Sequence, residues 1–180
     1  FGYLGKKQSI IKKSIKALKI LRSRGYDSAG IGYILNNLIQ TTKSIQLDLE
    51  TLNTQEKNIE SYSCIAHTRW ATNGQVSIDN THPFISANKK FALVHNGIIN
   101  NAEKLKSCLL KYKTFSSETD SEVIVNLIEF NYEKFHHIKT FKQILRLSMQ
   151  QLEGCWGILL IKLDEPLNLY ITRSEIPLVV

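Results

Sequence analysis

Four short stretches of the 180-residue chain combine the ends of predicted elements with polar side chains, and three of the four also contain glycine. They are residues 24–30, 67–74, 95–99 and 119–122. Guanidinium groups bind carboxylates, carboxylates bind cations, and preorganised amide donors stabilise a developing oxyanion. Packing alone does not require such residues at these positions, so the four stretches are the candidates for a functional site.

Taken singly, the polar residues of these stretches also have structural interpretations. Arg24 is placed to complement the C-terminus of a helix, and Arg69 is compatible with a surface cation. Asn96-Gly97 is a common tight-turn pair, and Asp120 is a good helix N-cap. For any one residue the structural interpretation is favoured, so the functional interpretation depends on all four stretches occurring together.

The elements that position the first stretch are predicted from hydrophobic periodicity and turn residues. Residues 1–4 and 29–35 are predicted strands, and a helix over 9–24 lies between them. Ser9 is its predicted N-cap, and Gly25 follows its end as a left-handed C-cap residue. Asn36-Asn37 tolerates positive φ and predicts a hairpin that pairs 29–35 with 38–42.

The rest of the chain predicts further strands and a group of helices. Residues 43–62 are a predicted connection with a short helix, and 71–90 are a long loop. Thr119 or Asp120 is expected to cap one of the helices. Helices grouped apart from mainly antiparallel strands favour a layered α+β architecture. The remaining predicted strands are 63–67, 91–95, 156–163 and 167–172, and the predicted helices are 102–112, 121–132 and 140–153.

Together and in this order, the four stretches resemble the glutaminase domain of the glucosamine-6-phosphate synthase (glutamine:fructose-6-phosphate aminotransferase) family. That family is a branch of the class II glutamine amidotransferases, which use an N-terminal nucleophile. The resemblance runs from Phe1 to Val179, and Arg-Gly-Tyr-Asp-Ser-Ala-Gly combined with His-Thr-Arg-Trp-Ala-Thr is typical of the sugar-aminating branch. It implies a four-layer αββα sandwich of the N-terminal-nucleophile hydrolase type, formed by residues 1–180 and incomplete at the C-terminus.

The resemblance implies a set of residues that bind L-glutamine. Arg69 binds the glutamine α-carboxylate, because guanidinium binds carboxylate bidentately, and the Thr72 hydroxyl and Trp70 backbone lie nearby. Asp120 binds the α-ammonium group. Asn73 stands where the family usually has a histidine, and it retains the capacity to donate and accept hydrogen bonds. Trp70 also matches a tryptophan that gates the ammonia channel in the family.

The resemblance also implies the residues that support catalysis. Releasing ammonia from an amide requires a nucleophile, a base and an oxyanion hole. The Asn96 side-chain amide and the Gly97 backbone N–H match the oxyanion-hole pair, and Arg24 matches an arginine that holds the surroundings of the nucleophile. His82 and His95 occupy further family positions, where supporting the site and packing the core are both open interpretations.

The family nucleophile is a cysteine at the mature N-terminus, in a Cys-Gly-Ile segment just before the position of Phe1. The sequence begins after that segment, and none of Cys64, Cys108 and Cys155 falls at the matching position. We therefore expect a glutaminase domain truncated at both ends and inactive as written. The family's C-terminal sugar-isomerase domain, which binds fructose 6-phosphate and receives the ammonia, is the expected partner, in a full-length homodimer.

Composition excludes several other classes of protein. A hydrophobic fraction of 43% with only 9 Gly and 3 Pro is incompatible with a disordered or collagen-like chain. The longest apolar runs are far shorter than the roughly 20 residues that span a bilayer, so no membrane partner is expected. We predict no metal and no cofactor, because the sequence contains no zinc-ligand spacing.

The formal net charge of +7 is concentrated near the N-terminus, where eight Lys and Arg residues fall between Lys6 and Arg24. A helical projection places Lys12, Lys16 and Lys19 opposite the apolar residues. A solvated lysine face is the favoured interpretation and an acidic partner is the alternative. Nucleic acid is not an expected partner, because no nucleic-acid-binding motif accompanies the lysines.

The three widely spaced cysteines predict no disulfide framework. Their apolar neighbours favour small core residues, and a cytoplasmic location follows as the expectation. Two other functions stay open at this point: the glutaminase domain of another class II amidotransferase, and a non-catalytic glutamine-binding module. The residues that precede Phe1 and follow Val180 would distinguish them.

Overall fold

Two four-stranded antiparallel sheets and four α-helices make up the described part of the chain. The structure is a computed structural model that describes residues 1–45, 59–70, 75–109 and 111–179. The first helix is followed by a single 3₁₀ turn over Arg22–Arg24. The elements in chain order are β1 (Gly2–Ser9), α1 (Ile10–Leu21), β2 (Ser28–Leu35), β3 (Leu38–Ile45), β4 (Glu60–Arg69), β5 (Phe84–Ile85), β6 (Phe91–Ile99), α2 (Ala102–Leu109), α3 (Asp120–Phe135), α4 (Phe141–Met149), β7 (Gly154–Lys162) and β8 (Tyr170–Ser174).

The sheet order places the ends of the central strands β4 and β6 where the candidate residues lie. The first sheet has the order β1-β4-β2-β3, and the second has the order β5-β6-β7-β8. In the first sheet Ser28 of β2 is opposite Arg69 of β4. In the second sheet Asn96 of β6 is opposite Gly157 of β7. The polar stretches therefore terminate long paired strands, which hold their backbones in place.

Three apolar clusters separate four layers. In the first, α1 packs through Ile10, Ile15 and Leu18 against the first sheet. In the second, Ile65 of the first sheet meets Val94 of the second. The largest cluster lies between the second sheet and helices α2 to α4. These layers confirm the predicted αββα sandwich.

Helix α1 is amphipathic, as predicted. The apolar residues that recur at helical spacing on one side are buried, and the lysines on the other side are exposed. The buried set is Ile10, Ile11, Ile15 and Leu18, and the exposed set is Lys12, Lys13, Lys16 and Lys19. Lys13 Nζ lies 4.7 Å from the centroid of the Tyr3 ring. No helix in the described ranges is long and apolar enough to cross a membrane.

The hairpin prediction is confirmed and the left-handed glycine prediction is wrong. Asn36 and Asn37 have φ values of 50° and 58°, which suit a two-residue turn between β2 and β3. Gly25 instead has an extended backbone, with φ 176° and ψ 134°. Glycine is required at this position for a different reason: a Cβ would lie 2.7 Å from the carbonyl oxygen of Thr68.

Several predicted boundaries shift. Most strands are longer and most helices shorter than predicted, whereas α3 is longer and β8 begins at Tyr170 rather than at residue 167. β3 continues to Ile45 and β4 begins at Glu60, so the connection predicted over residues 43–62 is shorter than expected. Its described residues, 43–45 and 59–62, contain no helix. Residues 46–58 lie outside the described ranges. The last helix ends at Met149 rather than at residue 153, since Asn101 binds the Gln151 carbonyl and the Glu153 N–H and directs the chain into β7.

The core prediction is correct for one cysteine and wrong for two. Cys64 is fully buried, with its Sγ 3.3 Å from the Ser14 hydroxyl, and burial raises the pKa of its thiol. Cys108 is exposed on α2, and Cys155 is partly exposed at the wall of a cavity. All three are free thiols. The burial of each cysteine therefore depends on the orientation of its helix or strand, and an apolar neighbour in the sequence does not predict it.

Candidate functional site

A cavity of about 630 Å³ opens where β4, β6 and the N-terminus of α3 meet. Residues from three of the four predicted stretches line it, including Arg69, Asn96, Gly97 and Asp120. The described residues of the remaining stretch, 24–30, do not line the cavity but contact one of its walls, since the Asp27 N–H donates to the Arg69 carbonyl at 3.1 Å. The structure thus brings together polar groups that are up to about fifty residues apart in the chain.

Arg69 ends β4 and its side chain is 5% exposed. Its guanidinium donates from Nη1 to the carbonyl oxygen of Gln75 at 3.3 Å. Burial lowers the pKa of this guanidinium from its ordinary value, and the carboxylates of Asp27 and Glu118 act in the opposite direction. Because an arginine keeps its proton in proteins, Arg69 supplies a fixed positive charge to the wall of the cavity.

Trp70 follows Arg69 at the rim of the cavity and is 57% exposed. Its ring lies against that of Tyr26, with 5.4 Å between the centroids and 55° between the planes. Thr72 and Asn73, the other two predicted glutamine-binding residues of this stretch, lie outside the described residues. The backbone of Arg24 forms part of the 3₁₀ turn after α1, and its side chain also lies outside the described part of the structure.

The end of β6 supplies the predicted oxyanion-hole pair. The Asn96 side chain is exposed at the cavity, and Gly97 follows it in the same strand with φ +140°. A Cβ at Gly97 would lie 2.1 Å from the carbonyl oxygen of Cys155 on the neighbouring strand. Glycine is therefore required here both by its backbone conformation and by the closeness of β7.

Asp120 is the first residue of α3, so its carboxylate lies at the positive end of a helix. Its Oδ2 accepts a hydrogen bond from the Ile99 N–H at 2.9 Å, and its Oδ1 lies 3.4 Å from the Ser121 hydroxyl. Thr119, which precedes the helix with an extended backbone, is the N-cap residue, so the alternative in which Asp120 is the cap is wrong. The Asp120 carboxylate remains partly exposed to the cavity.

Three histidines line the cavity, of which His82 and His95 are buried and His67 is half-buried. The rings of His67 and His82 lie 4.2 Å apart between centroids. The Ser121 hydroxyl joins His82 to His95, with Oγ 3.1 Å from His82 Nε2 and 3.0 Å from His95 Nδ1. Packing of the His82 and His95 rings in the interior is therefore confirmed, and their support of the site stays a prediction.

Burial keeps these histidines neutral. It lowers the pKa of His67 to about 3, with nearby positive charges acting in the same direction. It lowers the pKa of His82 well below the ordinary value, and it lowers that of His95 despite the opposing charge of Asp120, whose Oδ1 lies 3.8 Å from His95 Nδ1. Neutral imidazoles next to Asp120 leave its negative charge available to a cationic ligand.

Sequence reasoning missed contacts that join segments at the cavity. Asn80 and Glu118 form two hydrogen bonds with each other, and Ser121 bridges two of the histidines. Each of these contacts joins residues 26 to 39 positions apart. No local pattern relates such positions, so these contacts follow only from the folded structure.

Comparison with known proteins identifies a family over most of the chain. The family described as glutamine amidotransferases class-II matches residues 32–155. This range contains Arg69, Asn96, Gly97 and Asp120. It also contains Asn80 and Glu118, which bind each other.

Named relatives are similar over nearly the whole chain. The glutamine–fructose-6-phosphate aminotransferase (isomerizing) of Oceanobacillus iheyensis is 39% identical over 99% of this chain. The protein of the same name from Bacteroides thetaiotaomicron is 40% identical, also over 99% of the chain. The chain spans 29% of the length of each of these relatives.

A solved structure has the same fold. The glutamine phosphoribosylpyrophosphate amidotransferase of B. subtilis, complexed with ADP and GMP, superposes with a TM-score of 0.72 and is 28% identical. The likeness covers 90% of this chain and 34% of that one. It agrees with the N-terminal-nucleophile hydrolase type of sandwich predicted from the four stretches. Since the family match covers more than half of the chain, the chain belongs to the class II glutamine amidotransferases.

Proposed function

We propose that residues 1–180 form the glutamine-hydrolysing domain of a glutamine–fructose-6-phosphate aminotransferase, which supplies ammonia for the amination of fructose 6-phosphate. The observation that carries the proposal is the cavity in which a buried arginine, an aspartate and an Asn-Gly pair meet. Relatives that are 39% and 40% identical over 99% of the chain bear that name, which supports the choice of acceptor.

In this proposal the two charged ends of L-glutamine bind on opposite walls of the cavity. The Arg69 guanidinium binds the α-carboxylate and the Asp120 carboxylate binds the α-ammonium group. Thr72, Asn73 and the backbone of Trp70 complete the contacts on the Arg69 side. The side-chain amide of the substrate then lies beside the end of β6.

The reaction is acyl transfer to a thiol. The proposed nucleophile is the cysteine of a Cys-Gly-Ile segment that precedes Phe1, and its own α-amino group accepts the thiol proton. Phe1 lines the cavity, which supports delivery of that residue to the substrate. The thiolate attacks the amide carbon, and the oxyanion accepts hydrogen bonds from the Asn96 side chain and the Gly97 N–H. Arg24 supports the surroundings of the nucleophile.

Collapse of the tetrahedral intermediate breaks the C–N bond. The leaving nitrogen takes the proton held by the α-amino group and departs as ammonia, and a thioester remains. Water then attacks the thioester, the same oxyanion site stabilises the second intermediate, and glutamate is released with the thiol regenerated. The neutral histidines add no positive charge that would compete with Arg69 for the carboxylate.

The proposal extends to the protein that contains this chain. The chain spans 29% of the length of its named relatives. In this proposal a separate sugar-isomerase domain binds fructose 6-phosphate and contains the site that accepts the ammonia. The full-length protein is proposed to be a homodimer. Its proposed location is the cytoplasm, where free thiols such as those of Cys64, Cys108 and Cys155 persist.

The test is an assay of the intact protein with L-glutamine, in the presence and absence of fructose 6-phosphate. We expect glutamate in both cases and glucosamine 6-phosphate only with the sugar. Replacing the cysteine that precedes Phe1 by alanine should abolish both products, whereas Cys108→Ala, on the exposed face of α2, should leave them unchanged.

The same assay distinguishes the two alternative functions. Glutamate without glucosamine 6-phosphate would indicate a class II amidotransferase with another acceptor. Binding of L-glutamine without release of glutamate would indicate a non-catalytic glutamine-binding module. Either result would overturn the proposed reaction.

A further inference from the structure

Asn80 and Glu118 connect the segment before β5 to the segment that leads into α3, and both segments continue into residues that line the cavity. The Asn80 side chain donates from Nδ2 to Glu118 Oε2 at 3.1 Å, and its Oδ1 accepts from the Glu118 N–H at 3.0 Å. The same Nδ2 also donates to the Gln75 carbonyl at 3.0 Å. Glu118 Oε2 in turn accepts from the Gln75 N–H at 3.3 Å. Asn80 is 4% exposed, whereas Gln75 and Glu118 are exposed, so the network is buried only at its Asn80 end.

One side of this network reaches the arginine that is proposed to bind the α-carboxylate. The Gln75 carbonyl accepts from Arg69 Nη1 at 3.3 Å as well as from Asn80. The negative charge of Glu118 also acts on the Arg69 guanidinium. Asn80 therefore orients the Gln75 carbonyl that receives the arginine.

The other side reaches the aspartate that is proposed to bind the α-ammonium group. Glu118 lies two residues before Asp120, at the entry to α3. Within α3, the buried Glu122 accepts from the Ser117 N–H at 2.6 Å and from the Ser116 N–H at 2.9 Å. The segment 116–120 is therefore held by Glu122 from the helix and by Asn80 from the segment before β5.

The two charged groups of an α-amino acid are attached to one carbon atom. A site that binds both groups must therefore hold the side chain that binds the carboxylate at a fixed distance from the side chain that binds the ammonium group. Arg69 and Asp120 lie on different layers of the sandwich. We propose that Asn80 and Glu118 are positioning residues, which together set the separation of Arg69 and Asp120 and so select L-α-amino acids over ligands with only one of the two groups. This inference rests on the proposed glutamine site.

The test compares three ligands of the intact protein. L-Glutamate carries both α-groups, glutarate lacks the ammonium group, and 4-aminobutyrate lacks the α-carboxylate. Asn80→Ala should raise the inhibition constant of L-glutamate and the KM of L-glutamine about tenfold, as loss of hydrogen bonds to a charged group does. The inhibition constants of the two single-group ligands should change much less, because binding one group does not require a fixed separation.

A second position keeps the test informative if Asn80→Ala does not fold. Glu118 is exposed, so Glu118→Ala removes the same link without opening the interior. It should reproduce the selective loss of L-glutamate affinity. Glu118→Gln retains an oxygen that can accept from Asn80 and Gln75, and it should restore most of that affinity if the hydrogen bonds rather than the charge carry the effect.

The matched control is Asn88→Ala. Asn88 Oδ1 accepts from the Ser86 hydroxyl and the Lys90 N–H, both at 2.9 Å, and these bonds lie within the turn between β5 and β6 instead of joining Gln75 to Glu118. Equal weakening of all three ligands by Asn80→Ala and Glu118→Ala, or no weakening, would overturn the positioning role. A wild-type protein that binds neither L-glutamine nor L-glutamate would instead overturn the proposed function and this inference with it.

Discussion

The Asp120 carboxylate accepts a hydrogen bond from the backbone N–H of Ile99, with 2.9 Å between Oδ2 and N. Ile99 ends β6, the strand that carries Asn96 and Gly97. The group proposed to bind the substrate ammonium is therefore attached directly to the strand proposed to stabilise the oxyanion. Movement of the α3 N-terminus would displace both.

Substitutions at Arg69 and Asp120 should weaken glutamine binding. Arg69→Ala and Asp120→Ala each remove a charged partner of the ligand, and hydrogen bonds to charged groups are worth about 1.5–3 kcal/mol. We expect the KM for L-glutamine to rise by roughly 10-fold to 100-fold in each variant. Lys12→Ala on the exposed face of α1 is the control, and equal affinities for all three variants would contradict the assigned roles.

A second substitution at Asp120 separates its charge from its structural bond. Asp120→Asn retains a side-chain oxygen that can accept from Ile99 and removes the negative charge. The KM for L-glutamine should therefore rise nearly as far as in Asp120→Ala, while thermal stability stays closer to that of the wild type. A large loss of stability with unchanged KM would show that the carboxylate is only structural.

Loss of the Asn96 amide should slow the chemical step more than it weakens binding. An oxyanion-hole donor contributes about 2.7–4 kcal/mol to the transition state, so Asn96→Ala should lower kcat about 100-fold to 1,000-fold with little change in KM. Steady-state release of glutamate from L-glutamine measures both constants. A rise in KM at constant kcat would place Asn96 in substrate binding instead.

Gly97→Ala should destabilise the fold as well as the site. The added Cβ would meet the Cys155 carbonyl oxygen at 2.1 Å in a backbone with φ +140°, and such strain costs about 1–3 kcal/mol before the clash is counted. Urea unfolding measures the loss. The control is Gly157→Ala on the neighbouring strand, where the nearest atom to the added Cβ is Ile176 Cγ2 of a side chain at 3.1 Å; an equal loss at both glycines would refute the backbone argument.

Stability should fall on acidification through the histidines that line the cavity. The pKa of His67 is lowered to about 3 from an ordinary 6.5, so below pH 6.5 the unfolded chain binds a proton that the folded chain does not. The contribution of this neutral histidine is complete above pH 6.5 and is lost toward pH 3, by about 1.4 kcal/mol per pH unit.

Urea unfolding of His67→Gln at about pH 7.5 and about pH 5.5 tests this dependence. The free energy of unfolding should change less between the two conditions than in the wild type, whatever the overall stability of the variant. His137→Gln, which changes an exposed histidine, should keep the wild-type difference. The same reduction in both variants would show that burial of His67 is not the cause.

Locally encoded features were predictable from the residues alone. The lysine and isoleucine spacing in α1 and the Asn36-Asn37 turn depend on neighbours within a few positions, and both are confirmed. At Gly25 the local pattern gave a wrong prediction. Its position after a helix predicted a left-handed residue, yet the need for glycine comes from the Thr68 carbonyl of another strand.

The candidate site likewise combines residues that the sequence predicted with contacts that only the fold shows. The residue types and order of the four stretches carry the family resemblance, which predicted that Arg69, Asp120 and the Asn96-Gly97 pair meet at one site, and all of them line one cavity. They did not indicate that Asn80 binds Glu118 or that Ser121 joins two histidines. These contacts depend on which loops the two sheets bring together.

Helical spacing, turns and the set of chemical groups follow from the residues and their nearest neighbours, so they can be deduced from the chain alone. Which groups meet, and how they are charged, depends on the folded arrangement. Sheet register and layer packing set the distances between residues far apart in the chain, and burial holds the histidines neutral beside a charged arginine and aspartate. These distances and charge states depend on the whole fold, and together they make the polar residues a candidate site.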